Sequence, residues 1–453
     1  MSDRTRADNP ATGTRLPVGG LSEATELDPL SGIAPTSGTA RIAGGPVTAR
    51  GRSLRRGKER SLDILKKCRE FDEHKKVMAL GLYPFFQPLQ GTEGTEVTMA
   101  GRKVIMLGSN NYLGLTFHPK VKEAAKKAID TFGTSCTGSR LINGTLCIHE
   151  ELEHRLAAYM KREAALVFST GMQTNLGSIS CLVGRNDIVI TDKDDHASIV
   201  DACRLGYGEI KRFVHGDLDQ LERILQKIPE ENGVLVVVDG VFSMGGDIVD
   251  LPRLGPLCKK YGARLYVDDA HSVGVLGGGR GTAFHFKQLG DVDLTMGTFS
   301  KSFASLGGFV VGDADIIDYI KHMARSFIFS ASLPAPNVMA ATAALDIMES
   351  EPEHVEHLWE NARYMMKSYR ELGFNIGATQ TPIIPLIIGD DMKCFEFWKE
   401  AYEGGVYANP VIAPAVPQGM ALMRTSYMAT HTREQLDRAL DIFEKAGKKV
   451  GVI

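Results

Sequence analysis

Between about residues 160 and 312 short apolar runs alternate with helical patterns. The runs are AALVF, DIVITD, IKRFV, GVLVVVDG, ARLYVDDAH, DLTMGTFS and GGFVVG. Near-continuous Val/Ile/Leu stretches of this kind predict strands covered on both faces in a mainly parallel α/β sheet. Upstream, VKEAAKKAIDTFG after Pro119 places Val121, Ala125, Ala128, Ile129 and Phe132 on one helical face, with Gly133 as the stop. Earlier still, SLDILKKCREFDEHKKVMALG reads as one helix ending at Gly81, followed by Gly-punctuated strand-like segments as far as LGSNNYLG. After ASLPAP (331–336), long helical patterns surround PIIPLII and ALMRTSY, and a last helix starts near Arg433. The predicted organisation is an extension over 1–58, a helix-and-strand segment over 59–110 and a large domain over 111–335. A smaller α+β domain over 336–453 completes the chain, joined by a helix near 335–350.

Composition narrows the class. The chain has 453 residues, 43% hydrophobic and 24% charged, which excludes a wholly disordered, collagenous or coiled-coil protein. No apolar run approaches the ~18 residues that span a bilayer, and MSDRTRADNP lacks an apolar signal core, so a cytoplasmic protein is expected. A net charge of −3 argues against nucleic acid as the main partner. Residues 1–60 carry ten Lys/Arg against six Asp/Glu, a net +4, which leaves −7 for residues 61–453. Residues 1–58 hold no aromatic residue and read as a disordered basic extension. Seven scattered cysteines without a CxxC pair suggest neither a disulfide framework nor a zinc site, and read as reduced, mostly buried thiols.

Five segments could carry chemistry. Thr298-Phe299-Ser300-Lys301 ends the strand DLTMGT and opens the small-residue run SFASLGG. A lysine there is placed for an imine with a carbonyl cofactor, and the two hydroxyls can meet an anion; in isolation a solvated loop lysine reads the same. In VDDAHSVG, Asp268 closes a strand where open α/β sheets bind ligands, and could keep a pyridine nitrogen protonated. A Mg²⁺ site made by Asp268 and Asp269, or a helix cap, are the competing readings. FSTGMQTNLGS breaks at Ser169-Thr170-Gly171 into a helix whose first N–H groups suit a phosphate. His196, after DIVITD, could lie against a planar ring, and Arg424 could hold a carboxylate or a surface ion pair. GVLGGGRG (274–281) has the spacing of a Gly-rich connection and not of a nucleotide loop.

The segments SNNYLGL (109–115), TGSRLINGT (137–145), FSTGMQTN (168–175), DHASI (195–199), DGVFSMGGD (239–247), VDDAHSVG (267–274), GTFSKS (297–302), FSASLP (329–334) and RTSYMATHT (424–432) stand in a telling order. The set resembles the α-oxoamine synthases, pyridoxal-phosphate (PLP) enzymes of fold type I with the aspartate-aminotransferase fold. The resemblance runs from about residue 61 to the C-terminus. Within that family FSTGMQTNLG, DGVFSMGGDI, FSASLP and ANPVIAPAVP look most like the bacterial serine palmitoyltransferase branch.

The resemblance, and not the spacing of residues, implies a role for each site residue. Lys301 would hold PLP covalently and later act as general base; Asp268 would pair with the pyridine nitrogen, His271 reach the ring hydroxyl and His196 stack on the ring. Gly171, Met172, Thr298 and Ser300 would hold the phosphate, with Ser330 added from the other protomer of a homodimer. Arg424 would take the amino-acid carboxylate, with Asn110, or else Asn111, beside it. The implied activity is decarboxylative condensation of L-serine with a long-chain acyl thioester to 3-ketodihydrosphingosine, without a metal. The sister activities, 8-amino-7-oxononanoate synthase and glycine C-acetyltransferase among them, share these residues and stay open. So does a non-catalytic partner subunit, although intact GTFSKS argues against it. The stretch RSLRRGKER (52–60) leaves room for peripheral contact with the inner face of a membrane. One departure is visible: some bacterial relatives have an extra arginine where this chain has Ile412.

Overall fold

The computed structural model describes residues 63–453. The basic extension and its boundary at 58–59 lie outside the described residues. Three short antiparallel strands come first, β1 (Leu89–Thr92), β2 (Glu96–Met99) and β3 (Arg102–Met106). The helix expected to run continuously to Gly81 is instead two, Lys66–Glu70 and Glu73–Ala79, interrupted at Phe71-Asp72. Neither helix buries a residue, so no core contact offsets the cost of carrying one helix through the break.

All seven apolar runs form strands of one sheet: β4 (Ala164–Phe168), β5 (Ile188–Asp192), β6 (Glu209–Phe213), β7 (Val234–Asp239), β8 (Arg264–Asp268), β9 (Leu294–Thr298) and β10 (Gly308–Gly312). Their order is β4-β10-β9-β8-β7-β5-β6. β6, β5, β7, β8 and β9 are mutually parallel, and β10 runs antiparallel to both its neighbours. Every residue of β5, β9 and β10 is buried, as two helical layers require, whereas β6, with Glu209, Lys211 and Arg212, forms an edge that charge protects from further pairing. One layer packs Ile179, Ile199 and Ile320 on the sheet, and the other packs Leu221, Leu254 and Cys258.

The C-terminal part has β11 (Ile383–Gly389), β12 (Val406–Tyr407), β13 (Asn409–Val411) and β14 (Ala421–Ser426). β12 extends the first sheet beside β3, while β14 is the centre of a three-stranded sheet, β11-β14-β13. Helices Ala335–Ser350, Glu353–Leu372 and Arg433–Val450 stand where the helical patterns placed them. Two expectations need correction. Ile129 does not join Val121 and Ala128 in the core but is 44% exposed, because helix Pro119–Phe132 buries a narrower stripe than its apolar positions allow. The seven cysteines are all free, yet only Cys203, Cys258 and Cys394 are buried.

Candidate active site

Strands β7, β8 and β9 end side by side, and their carboxyl ends deliver Asp239, Asp268 and Thr298 to one rim. A cavity of about 230 Å³ opens there, lined among others by Gly171, Met172, His196, Asp268, His271, Thr298, Ser300 and Lys301. The position follows the rule for open parallel sheets, whose strand ends leave a crevice between diverging connections.

Each wall has a local cause. Thr170 caps helix Gly171–Leu182 by accepting from the Gln173 N–H at 3.0 Å, so that helix starts at the cavity with free N–H groups. A side chain at Gly171 would place Cβ 2.8 Å from Thr298 Oγ1, so only glycine lets the helix start so close to β9. Thr298 Oγ1 and Ser300 Oγ lie 2.9 Å apart. Opposite, Asp268 is buried and accepts from Asn175 Nδ2 at 2.6 Å and from the Ala270 N–H at 3.0 Å. Asn175 is itself oriented by the Tyr266 hydroxyl, which donates to its Oδ1 at 2.9 Å. The His196 N–H donates to Asp239 Oδ2 at 2.8 Å, and its Nδ1 faces Ser198 Oγ at 2.8 Å, which turns the ring into the cavity mouth.

The electrostatics are those of a dry site around a few charges. Desolvation pushes the Lys301 ammonium down to about 8, outweighing the attraction of Asp268 and Asp239. Burial, then Lys301 and Arg424, hold the His271 imidazole well below its usual range. Burial lowers His196 as well, against the pull of Asp268. Asp239 is driven well above the carboxylate range by burial and by the charge of Asp268.

A family model described as Aminotransferase class I and II matches residues 102–443. The chain belongs to that family. Within it, this chain is an α-oxoamine synthase, as its nine ordered motifs imply. It is 50% identical over 383 residues to a serine palmitoyltransferase of Sphingobacterium spiritivorum, covering 84% of this chain and 96% of that protein. It is 45% identical over 383 residues to an 8-amino-7-oxononanoate synthase of Bacillus pumilus, covering 84% and 98%. Among solved structures, a serine palmitoyltransferase from S. paucimobilis with a bound PLP-myriocin aldimine superposes with a TM-score of 0.84 at 38% identity, over 86% of this chain and all of that one.

In this α-oxoamine synthase eight of the eleven expected site residues line the cavity, and Arg424, Asn110 and Ser330 do not. Arg424, on β14, is buried and donates through Nε to the carbonyl of Ser243, a lining residue, at 2.6 Å; its Nη2 is buried with no hydrogen-bond partner among the described residues. Asn110 faces the Tyr112 hydroxyl at 3.4 Å, whereas Asn111 is buried and spends its amide on Thr116 Oγ1 at 2.8 Å. Through the Tyr112 hydroxyl, Asn110 is linked to the cavity-lining His271. Ser330 Oγ accepts at 3.0 Å from Nε2 of Gln173, two residues into the helix that starts at Gly171. Asp268 and Asp269 diverge: Asp269 accepts from the Thr282 N–H at 2.9 Å and its hydroxyl at 2.6 Å, so the two do not converge on a Mg²⁺ ion. The run GVLGGGRG is a connection between β8 and β9.

Five further residues of the site are not singled out by the sequence: Tyr112, Asn175, Ser198, Asp239 and Ser243. Each sits inside one of the nine motifs, so its presence was visible but its partner was not. Tyr112 matters most, because its hydroxyl lies 2.6 Å from His271 Nδ1.

Proposed function

We propose that this α-oxoamine synthase binds PLP and condenses L-serine with a long-chain acyl thioester, losing CO₂, to form 3-ketodihydrosphingosine. The observation that carries the reading is the placement of a buried carboxylate, Asp268, and a lysine of lowered pKa, Lys301, on adjacent strand ends of one cavity. The cavity fits the cofactor by its donors: hydroxyls of Thr298 and Ser300 beside a free helix N-terminus for a phosphate, and a buried acid for a pyridinium. The buried, unpartnered Nη2 of Arg424 fits a substrate carboxylate.

Bound PLP supplies an electron sink for charge that develops at the amino acid Cα. Lys301 anchors the cofactor and, once released, takes the Cα proton at Nζ, for which a pKa near 8 is suited at neutral to mildly basic pH. Asp268, kept in place by Asn175 and the Ala270 N–H, holds the proton of the ring nitrogen. His196 and His271, both in the cavity wall, would hold the cofactor ring, His196 by stacking and His271 at the ring hydroxyl. Arg424, with Asn110 nearby, grips the carboxylate and so fixes which Cα bond faces Lys301.

We further place the protein in the cytoplasm as a homodimer. Seven unpaired cysteines suit a reducing compartment, and Leu141, Ile142 and Phe329, 64%, 80% and 74% exposed, suit burial against a second copy. Among the described residues no helix is long and apolar enough to cross a membrane. Contact of residues 52–60 with an anionic membrane face is proposed on charge alone, and those residues lie outside the described ones.

The test supplies serine, glycine and alanine with acyl thioesters of several lengths, including a pimeloyl thioester, and reads products by mass spectrometry. A long-chain ketone from serine supports the reading. An 8-amino-7-oxononanoate product from alanine would replace it with the activity of the relative at 45% identity.

A further inference from the structure

Away from the cavity, three side chains with metal-binding chemistry meet where helix Ala335–Ser350 ends. His118, Glu351 and His354 each offer one ligand atom, and these atoms all lie within 4.8 Å of one another. All three residues are partly buried, with His354 and Glu351 side chains 18% and 24% exposed.

The backbone holds them firmly. His118 is the residue before helix Pro119–Phe132, and its N–H donates to the Leu115 carbonyl at 3.0 Å. Glu351 closes helix Ala335–Ser350, its N–H donating to the Ile347 carbonyl at 2.8 Å. Pro352 then precedes the next helix, and His354 sits in its first turn, three residues after Glu351. His354 Nε2 lies 3.5 Å from Glu351 Oε2. The two imidazoles approach edge to face with centroids 6.2 Å apart, and His118 Nδ1 is buried without a hydrogen-bond partner among the described residues. A buried ring nitrogen with a free lone pair is costly unless something fills it.

We propose that His118, Glu351 and His354 form a divalent metal site of the zinc class, with water completing the shell. Two imidazoles and one carboxylate select Zn²⁺, Co²⁺ or Ni²⁺ over Mg²⁺ and Ca²⁺, which prefer oxygen alone. Ligand atoms around tetrahedral Zn²⁺ stand roughly 3.3–3.5 Å apart, so the set closes by about an ångström on binding. The bound ion joins helix Pro119–Phe132 to the turn between helices Ala335–Ser350 and Glu353–Leu372, two of which already pack together. Lys120 opposes it: its Nζ lies 2.5 Å from Glu351 Oε1 and is the charge that the ion must displace. The site uses none of the catalytic groups.

The experiment titrates Zn²⁺ alone into untagged, PLP-loaded full-length protein by calorimetry after chelator treatment, with Co²⁺ absorption as a second readout. One ion per chain should bind, His118→Ala and His354→Ala should each weaken it by at least about 10-fold, and Lys120→Met should tighten it. His118→Gln with unchanged circular dichroism and melting temperature guards against a fold defect. No stoichiometric uptake would overturn the proposal. So would uptake indifferent to both histidine variants, or a Co²⁺ spectrum with a thiolate charge-transfer band, which would assign the ion to Cys68 or Cys147, the exposed thiols.

Discussion

Arg424 Nε donates to the Ser243 carbonyl at 2.6 Å, so the strand of the small sheet that carries the cation is tied to the loop after β7 that lines the cavity. The bond fixes one edge of the guanidinium and leaves Nη2 buried without a hydrogen-bond partner among the described residues. If that nitrogen grips serine, Arg424→Ala should weaken serine binding by roughly 30- to 5000-fold, the equivalent of about 2–5 kcal/mol. Arg424→Lys should recover only part, since an ammonium lacks the planar fork. Serine titrations followed by the cofactor absorbance decide it. Unchanged affinity would remove Arg424 from the site, and Arg140 could not replace it, being held by Glu153 at 2.7 and 3.0 Å.

Borohydride reduction of the PLP-loaded protein, followed by peptide mapping, should put the pyridoxyl group on Lys301. Its amine, pushed down to about 8 by burial, becomes a nucleophile only when neutral. The rate at which apo-protein captures PLP should therefore rise as pH increases through about 8 and level off above it. A label on another lysine, or a capture rate flat between about pH 6.5 and 9.5, would count against the assignment.

Burial raises the Tyr112 phenol to about 12, so it keeps its proton at working pH, and its hydroxyl lies 2.6 Å from His271 Nδ1, where it orients the imidazole. Tyr112→Phe removes that hydrogen-bond partner without changing the ring. Product formation should fall by about 10-fold or more, and the bound-cofactor spectrum should shift while PLP affinity changes little. An unchanged spectrum and rate would make Tyr112 a packing residue.

His215 bridges Asp192 Oδ1 at 3.1 Å and Asp247 Oδ2 at 3.0 Å, pinning the loop that carries Ser243 to the end of β5. Those two carboxylates raise its pKa to about 10 against the effect of burial. A raised pKa contributes stability that is complete below about 6.5 and is lost as pH climbs through 10. His215→Ala should cost about 1–2 kcal/mol at neutral pH, discounted for the ring's partial exposure. The gap in melting temperature between wild type and variant should narrow from pH 6.5 to 10. A gap constant across that window would mean that the ring is not charged.

What the chain alone determined was local or periodic. The interior runs became the strands β5, β9 and β10 because a strand buried on both faces must be apolar at nearly every position, whereas β6 kept its charges because it lies at the edge. Six of the eight cavity-lining residues were legible from strand ends and helix starts, as in Asp268, Thr298 and Gly171, while Met172 and His271 entered through the family resemblance. The tertiary structure decided what depends on partners far apart in sequence. It separated Asn110 from Asn111, divided Asp268 from Asp269 and brought Tyr112 to His271 across 159 positions. It also broke the helix at Phe71-Asp72, exposed Ile129 and gathered His118 with Glu351 and His354. The reason is common to all of these: a periodic pattern says which side of an element is apolar, but a hydrogen bond or a ligand set exists only where two chain segments meet, and that meeting is fixed by packing.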